Sequence, residues 1–529
     1  MNNIRYILLI ILLPFTTTLL GQAPAIQWKK CYGGTEDDAG YSIRELSDGG
    51  FYIAGYTASH NYDAQSNTGN FEHFWLIRTD NAGNILWENS YGGTWGPDIA
   101  YNMQVTDDGG AILVGLAYSG DGDVVGQHGA APDLWVVKTD SLGVLQWQKC
   151  LGGTNYEYEG KIKPTSDGGY IVIGTTNSTS NSGDVSFSHG ANDIWLVKLD
   201  SIGNIEWEKT FGGSAYDFGS DVIELNNSQF VICGSTDSNN GDITNPLGAQ
   251  DMWVIRIDTS RNIVWQNTFG GSDGEVSASL YHNLHNETVI VGGSASINGN
   301  IVNPHGNYDV IRLSLNDSVL VSSYCYGGTD ADWANSVALT HDFGSIISGM
   351  ATSGDAPTSC VNTFLENYYI LKTDSIGNYN WSLCIGGTES DVANDAIETS
   401  DGGYIVVGVT ESNDGDVSGN HGGKDIWVVK LAPAGVNVPE LSAAITDFTA
   451  FENSNGALHL NFSAEVPASL KLSLLDLTGR EVYSENYSCI GGMNSHSTST
   501  LSLSPGIYVL QLLDGEGMMV KKVFVNGGN

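Results

Sequence analysis

A Gly-Gly pair followed by Thr or Ser recurs seven times, at Gly33, Gly92, Gly152, Gly212, Gly270, Gly327 and Gly386, in steps of 57 to 60 residues. A period that long and regular calls for stacked copies of one supersecondary unit. The third copy shows what the unit holds. Residues 158–164 read as a first strand, and Ser166-Asp167-Gly168-Gly169 as a hairpin turn, because Gly tolerates positive φ. Residues 170–175 are a β-rich second strand. A long polar loop leads to a third strand over 194–199, residues 200–204 turn the chain, and 205–209 form a fourth strand. Four antiparallel strands per sixty residues is the content of one β-propeller blade.

The ends of the array fit a closed ring. The last copy runs out after its third strand, near Lys430, while residues 26–30 at the front match the fourth-strand pattern. An N-terminal strand that completes the final blade removes the open edges an unclosed array would expose. The reading is a seven-bladed propeller over residues 26–432, all-β, followed by a linker over 433–447 and a small β-sandwich over 448–529.

Repetition also explains most of the unusual residues. Trp75, Trp135, Trp195, Trp253 and Trp427 share the third-strand position, and Trp28, Trp87, Trp147, Trp207, Trp265 and Trp381 the fourth-strand position. Blade-to-blade packing accounts for all eleven. Trp95 and Trp333 fall after a Gly-Gly-Thr, in expected loops, and are candidate exposed stacking surfaces. Arg78, Lys138, Lys198, Arg256, Lys372 and Lys430 also share a position, and in five units an Asp follows two residues later (Asp80, Asp140, Asp200, Asp258 and Asp374). Residues two apart on a strand share a face, so a structural ion pair is expected there. Cys31, Cys150, Cys325 and Cys384 occupy one repeat position each, which disfavours bridges among the four and suggests small buried side chains.

Two sets of residues are candidates for binding. The first is one carboxylate after each Gly-Gly: Asp38, Asp98, Glu157, Asp217, Glu275, Asp332 and Asp391. A ring of acids on one face of a propeller suits a hard cation such as calcium. The alternative is that each acid satisfies backbone N–H groups of its own turn. The second set lies in the long loops, where Gly-Asp pairs include Asp184 and Asp416, and His128, His189, His305 and His421 precede Asp133, Asp193, Asp309 and Asp425. These loops open on the Gly-Gly face, which makes that face the expected binding face; closure of each loop on itself is the competing explanation. No transition-metal site is assigned, and no catalytic signature is present.

The chain carries 21 Lys and Arg against 60 Asp and Glu, a net charge of -39. Such a chain repels nucleic acid and anionic membrane. Arg5, the apolar run over 6–13 and small residues at Gly21, Ala23 and Ala25 read as a signal peptide over 1–22. No later stretch is long enough to span a membrane, so no transmembrane segment is expected after cleavage.

Beyond residue 447 the repeat stops and short alternating segments take over. Leu475-Asp476-Leu477-Thr478-Gly479-Arg480-Glu481-Val482, then Leu503-Ser504-Pro505-Gly506-Ile507-Tyr508-Val509-Leu510, then Lys522-Val523-Phe524-Val525 resemble the type A C-terminal sorting domain of the Bacteroidetes type IX secretion system. The Pro-Asn-Pro opening usual in that family is absent around Phe451. The resemblance implies export through the periplasm and outer membrane, with the secretion machinery as partner of residues 448–529 and the cell surface or medium as destination. The first four-fifths is similar to the Gly-Gly propeller repeats often joined to such tails, which implies fold and setting only. Asp140-Ser141-Leu142, Asp200-Ser201-Ile202, Asp317-Ser318-Val319 and Asp374-Ser375-Ile376 look like the O-glycosylation sequon of the same phylum; ordinary turn chemistry is the preferred explanation. Three readings of function follow: a secreted or surface binding protein for a glycan or protein, with calcium as a conceivable cofactor; a propeller enzyme acting on polysaccharide; and a structural surface protein.

Overall fold

The computed structural model describes residues 22–433, apart from 284–285, 356–357, 359 and 361–364, and the strands of a second unit between 445 and 525. Residues 1–21 of the expected signal over 1–22 and residues 434–444 of the expected linker over 433–447 lie outside the described residues. Every element described is a β-strand.

The first unit is the seven-bladed propeller. Each blade is a four-stranded antiparallel sheet with strands in chain order, and the inner strands are Asp38–Glu45, Asp98–Val105, Glu157–Pro164, Asp217–Glu224, Glu275–His282, Asp332–Leu339 and Asp391–Glu398. Blade 7 takes its fourth strand from the start of the chain. Ile26–Tyr32 pairs with Asp425–Leu431, with Trp28 opposite Lys430 and Cys31 opposite Trp427. The ring is therefore closed, and no blade leaves an inter-blade edge open.

Local chemistry sets this shape. The Asp48-Gly49 turn and its counterparts place Gly at φ near +80° (Gly49 82°, Gly168 85°, Gly402 81°), where a side chain is strained. Every inner strand carries a register shift near its third residue. Opposite it on the second strand stands a Gly. A β-carbon on Gly55 would lie 1.8 Å from the Ala39 carbonyl oxygen, so the bulged backbone can approach only a glycine.

The core lies between blades. The five third-strand tryptophans are fully buried, and four donate their indole N–H to a Glu or Gln on the neighbouring outer strand, such as Trp195 to Glu208 at 2.8 Å. The fourth-strand tryptophans pack across boundaries: Trp28 on Phe51, Trp147 on Tyr170, Trp207 on Phe230 and Trp381 on Tyr404.

Two sequence expectations need correction. The repeated cations do form structural ion pairs, but not with the acid two residues on. Lys138, Lys198, Lys372 and Lys430 pair with Asp108, Asp167, Asp342 and Asp401 of the hairpin turn earlier in the same blade, at 2.8 to 3.0 Å, and Arg78 pairs with Asp48. Asp80, Asp140, Asp200, Asp258 and Asp374 instead accept N–H bonds from residues two and four further on, closing their own turns. Cys384 is not a free packing residue. It forms a disulfide with Cys360 of the long loop in the same blade, while Cys31, Cys150, Cys233 and Cys325 are free.

The second unit holds two antiparallel sheets. One has strands Ile445–Glu452, Ala457–Ala464 and Gly492–Ser499; the other has Glu481–Cys489, Ala468–Leu475, Gly506–Leu513 and Met518–Val525. Leu458, Leu460 and Phe462 are buried from the first, and Leu470, Leu472, Leu474, Tyr508 and Leu510 from the second. This alternation is that of a small two-sheet sandwich.

Candidate functional site

The inner strands surround a central channel of about 820 Å³, lined by residues of all seven blades. The Gly-Gly connections and the long loops meet at one mouth. In every blade the N–H of the ring acid donates to a carbonyl at the end of the preceding blade's long loop, from Asp38 to Lys424 (2.6 Å) round to Asp391 to Glu366 (2.9 Å). That places both candidate sets on one face, as the sequence suggested.

The seven acids, Asp38, Asp98, Glu157, Asp217, Glu275, Asp332 and Asp391, are fully buried. Each holds its own turn. The second Gly donates its N–H to Asp38, Asp98, Asp217, Glu275, Asp332 and Asp391 at 2.7 to 2.9 Å, and Ser59, Ser238, Ser353 and Ser412 hydroxyls donate to four of them. Among the described residues no three His, Cys, Asp or Glu side chains converge as a metal-ligand set. A second acid approaches from the previous blade. Asp425 and Asp38 both come within 3 Å of where a Gly33 β-carbon would stand, and Asp133 with Glu157, Asp193 with Asp217, Asp251 with Glu275 and Asp309 with Asp332 repeat this. Burial pushes Glu157 up to about 7, and Asp332 and Asp425 up to about 6.

The loop histidines close the loops and reach one blade further. The backbone N–H of His128, His189, His305 and His421 donates to Asp133, Asp193, Asp309 and Asp425 at 2.6 to 3.0 Å. His128 Nε2 lies 3.4 Å from Asp184, and His189 Nε2 3.3 Å from Asp242, both acids of the next blade. Asp184 and Asp416 are half-buried, and they accept long N–H bonds of 3.4 Å from Gly152 and Gly386. Their geometry is that of loop ties.

Inside the channel, charge is paired. Asp395 of blade 7 accepts from Arg44 of blade 1 at 2.5 Å, from the Ile43 N–H and from Ser336 of blade 6. Asp221 of blade 4 faces Lys163 and Lys161 of blade 3 at 3.4 and 3.7 Å, and accepts from Ser279 and the Leu280 N–H of blade 5. Burial, the largest single influence, would raise Asp221, but the two lysines together with the Leu280 N–H and Ser279 bonds outweigh it and hold the carboxyl below its ordinary range. Glu159 also lines the channel, open to the lumen yet walled by protein, and is raised by that enclosure despite Lys161. Its charge, after burial, helps raise the phenols of Tyr41, to about 12, and Tyr101.

The mouth is where sevenfold repetition fails. Tyr56, Tyr41 and Tyr101 touch in sequence, with centroids 6.3 and 5.1 Å apart. Tyr156, Tyr158, Phe218 and Tyr216 continue along blades 3 and 4 at 6.2 to 6.4 Å. The positions of Tyr158 and Phe218 are Val276 in blade 5 and Val392 in blade 7, and those of Tyr156 and Tyr216 are Gly274 and Ser390. Trp333 stands in blade 6. It belongs to the inner strand rather than a loop, is half-buried against Tyr308 (5.4 Å), and lines the channel. Trp95 projects from its loop with 74% of its surface exposed. Sequence reasoning missed the tyrosines because they sit at several repeat positions; comparing the seven copies column by column exposes them.

Residues 454–526 match the family described as "Secretion system C-terminal sorting domain". The chain thus carries a type IX sorting tail behind a seven-bladed propeller, and that tail marks it for secretion to the cell surface or extracellular space. No curated protein matches the chain in sequence. Among solved structures, a subtype N11 neuraminidase-like protein of A/flat-faced bat/Peru is similar over 78% of this chain and 96% of its own, at 10% identity and a TM-score of 0.32. A Bombyx mori GH32 beta-fructofuranosidase in complex with sucrose is similar over 68% and 84%, at 10% identity and 0.24. A Glycoside Hydrolase family 32 structure from Bifidobacterium adolescentis is similar over 95% and 96%, at 8% identity and 0.27. At those scores the likenesses carry no argument about activity.

Proposed function

We propose that this secreted propeller is a binding protein whose ligand docks at the channel mouth on the Gly-Gly face. One observation carries the reading: the aromatic arc of blades 1 to 4 departs from the repeat at the mouth of the central channel. Packing needs no such departure, since blades 5 and 7 are built without it. Binding is favoured over hydrolysis by the channel's acids. Two-carboxylate chemistry needs a second free carboxyl beside Glu159, and Asp221 and Asp395 are committed to ion pairs. Calcium assistance stays a separate question, addressed below by chelation. The test is an array of glycans and surface proteins probed with the full chain and with Tyr216→Ala. Loss of the bound spots in the variant is expected. Turnover of an arrayed polysaccharide would replace this reading with the enzymatic one.

A further inference from the structure

We infer that the ligand of the channel mouth is a neutral oligosaccharide seated on four rings of blades 3 and 4. The inference rests on the reading above and narrows it to one chemical class. Tyr156 and Tyr158 are two residues apart on blade 3, and Tyr216 and Phe218 are their counterparts on blade 4. Within each pair the rings stack, with interplanar angles of 26° and 11°. Tyr158 meets Phe218 edge-on across the blade boundary at 79°, joining the two pairs into one platform. The outer rings are open to a ligand: Tyr156 is 49% and Tyr216 51% exposed.

The chemistry of this platform selects the occupant. Three of its four rings end in a hydroxyl, so the surface is apolar on its faces and hydrogen-bonding at its edges. A pyranose has the same division, with C–H groups on its faces and hydroxyls around its rim. Charge removes the main competitors. Arg44, Lys161 and Lys163, the cations lining the channel beside the platform, are matched by three acids: Asp395 faces Arg44, Asp221 faces both lysines, and Glu159 feels the charge of Lys161. An anionic glycan or a nucleic acid strand would meet a chain of net charge -39 with no spare cation there, although stacked rings alone would accept bases. Next to Tyr158, Glu159 faces the lumen and offers two acceptor oxygens to hydroxyls of a sugar entering the channel.

Calorimetric titration of the full chain with hexasaccharides of neutral glucans, xylans and mannans, and with oligogalacturonate as the anionic control, tests the assignment. At least one neutral series is expected to bind more tightly as its chain lengthens, and oligogalacturonate not to bind. The double variant Tyr156→Ala/Tyr216→Ala should weaken binding roughly a hundredfold, about tenfold per ring, with an unchanged melting temperature. Tyr156→Phe/Tyr216→Phe keeps the faces and should stay within about threefold of the parent. Absence of any neutral titration at millimolar sugar overturns the inference. If an anionic glycan or a protein binds instead, and the alanine variant abolishes that binding, the sugar class is wrong while the mouth remains the binding face. If every ligand found ignores the alanine variant, the mouth reading falls too.

Discussion

In the body of the blades the same residue type returns to the same place, with tryptophan between sheets in five blades and a cation over its turn acid in five. In the channel wall the pattern dissolves: the site of Tyr158 is Ala39, Ile99, Phe218, Val276, Trp333 or Val392 in the other blades. Both regions come from the same copies, so the contrast separates two demands. Residues that hold one blade to the next are needed at every boundary. Residues that meet a ligand are needed only where the ligand lies. The cation at Arg256 shows the first rule bending, since blade 4 has Asn227 in its turn and the arginine reaches Asp317 of the next blade instead.

Breaking the repeated side of this comparison should cost most. Trp195→Ala removes a fully buried ring and an indole bond to Glu208, and should lower unfolding free energy by about 3–5 kcal/mol in urea titrations. Cleaving the Cys360–Cys384 bridge, by Cys384→Ser, frees a loop with a sequence separation of 24, for which chain entropy gives about 3 kcal/mol. Calorimetry of the variant, against the parent with and without reductant, checks it.

Acidity sharpens the comparison further. The boundary acids Glu157, Asp332 and Asp425 bind protons more tightly folded than unfolded, because their pKa values are raised. Their contribution is full below about pH 4 and lost as pH rises through about 6 to 7. Asp108 and Asp167 act in the opposite sense. Burial is the largest single influence on them and pushes them up, but hydrogen bonds from Lys138 and Thr106, and from Thr165, Gly169 and Lys198, together outweigh it and hold them at about 2, so their contribution is lost on acidification below about pH 4. Melting temperature should therefore climb by several degrees from about pH 8 to about pH 5 and fall again below about pH 4. A flat profile over the upper range would mean that the boundary pairs are not protonated as their burial demands. The smallest stability effect is expected at the mouth, where Tyr216→Ala should change unfolding free energy by less than about 0.5 kcal/mol. Chelation with EDTA should likewise leave melting temperature unchanged if the seven acids only tie turns; a clear drop would restore calcium to them.

The fold was legible because its signals are periodic. Glycine pairs, turn acids and tryptophans recur at every boundary, and the missing last strand pointed to Trp28. What escaped lay off the period. Lys198 pairs across its own hairpin with Asp167, a partner that strand periodicity cannot indicate because the turn brings it back from thirty-one residues away. Cys360 sits in the most divergent loop, where no repeat position tied it to Cys384. In the tail, Gly492–Ser499 has no apolar alternation, being an edge strand in which Met493 is the one large apolar residue. The candidate site was legible to the level of a face. The ring acids and loop aspartates led there, but their side chains hold the scaffold, and the rings that line the opening are scattered over several repeat positions, so that only a column-by-column comparison of the copies or the assembled inner strands picks them out.

The strand bearing Trp28 also sets an order of events. It is among the first parts of the propeller to be synthesised, yet its partner, Asp425–Leu431, is among the last. For some four hundred residues of elongation it has nothing to pair with. Any product broken off before the seventh copy keeps a dangling first strand and an unzipped final sheet, so closure itself reports that the propeller is complete. Quality control that recognises loose β edges would discard the fragments and spare the finished wheel.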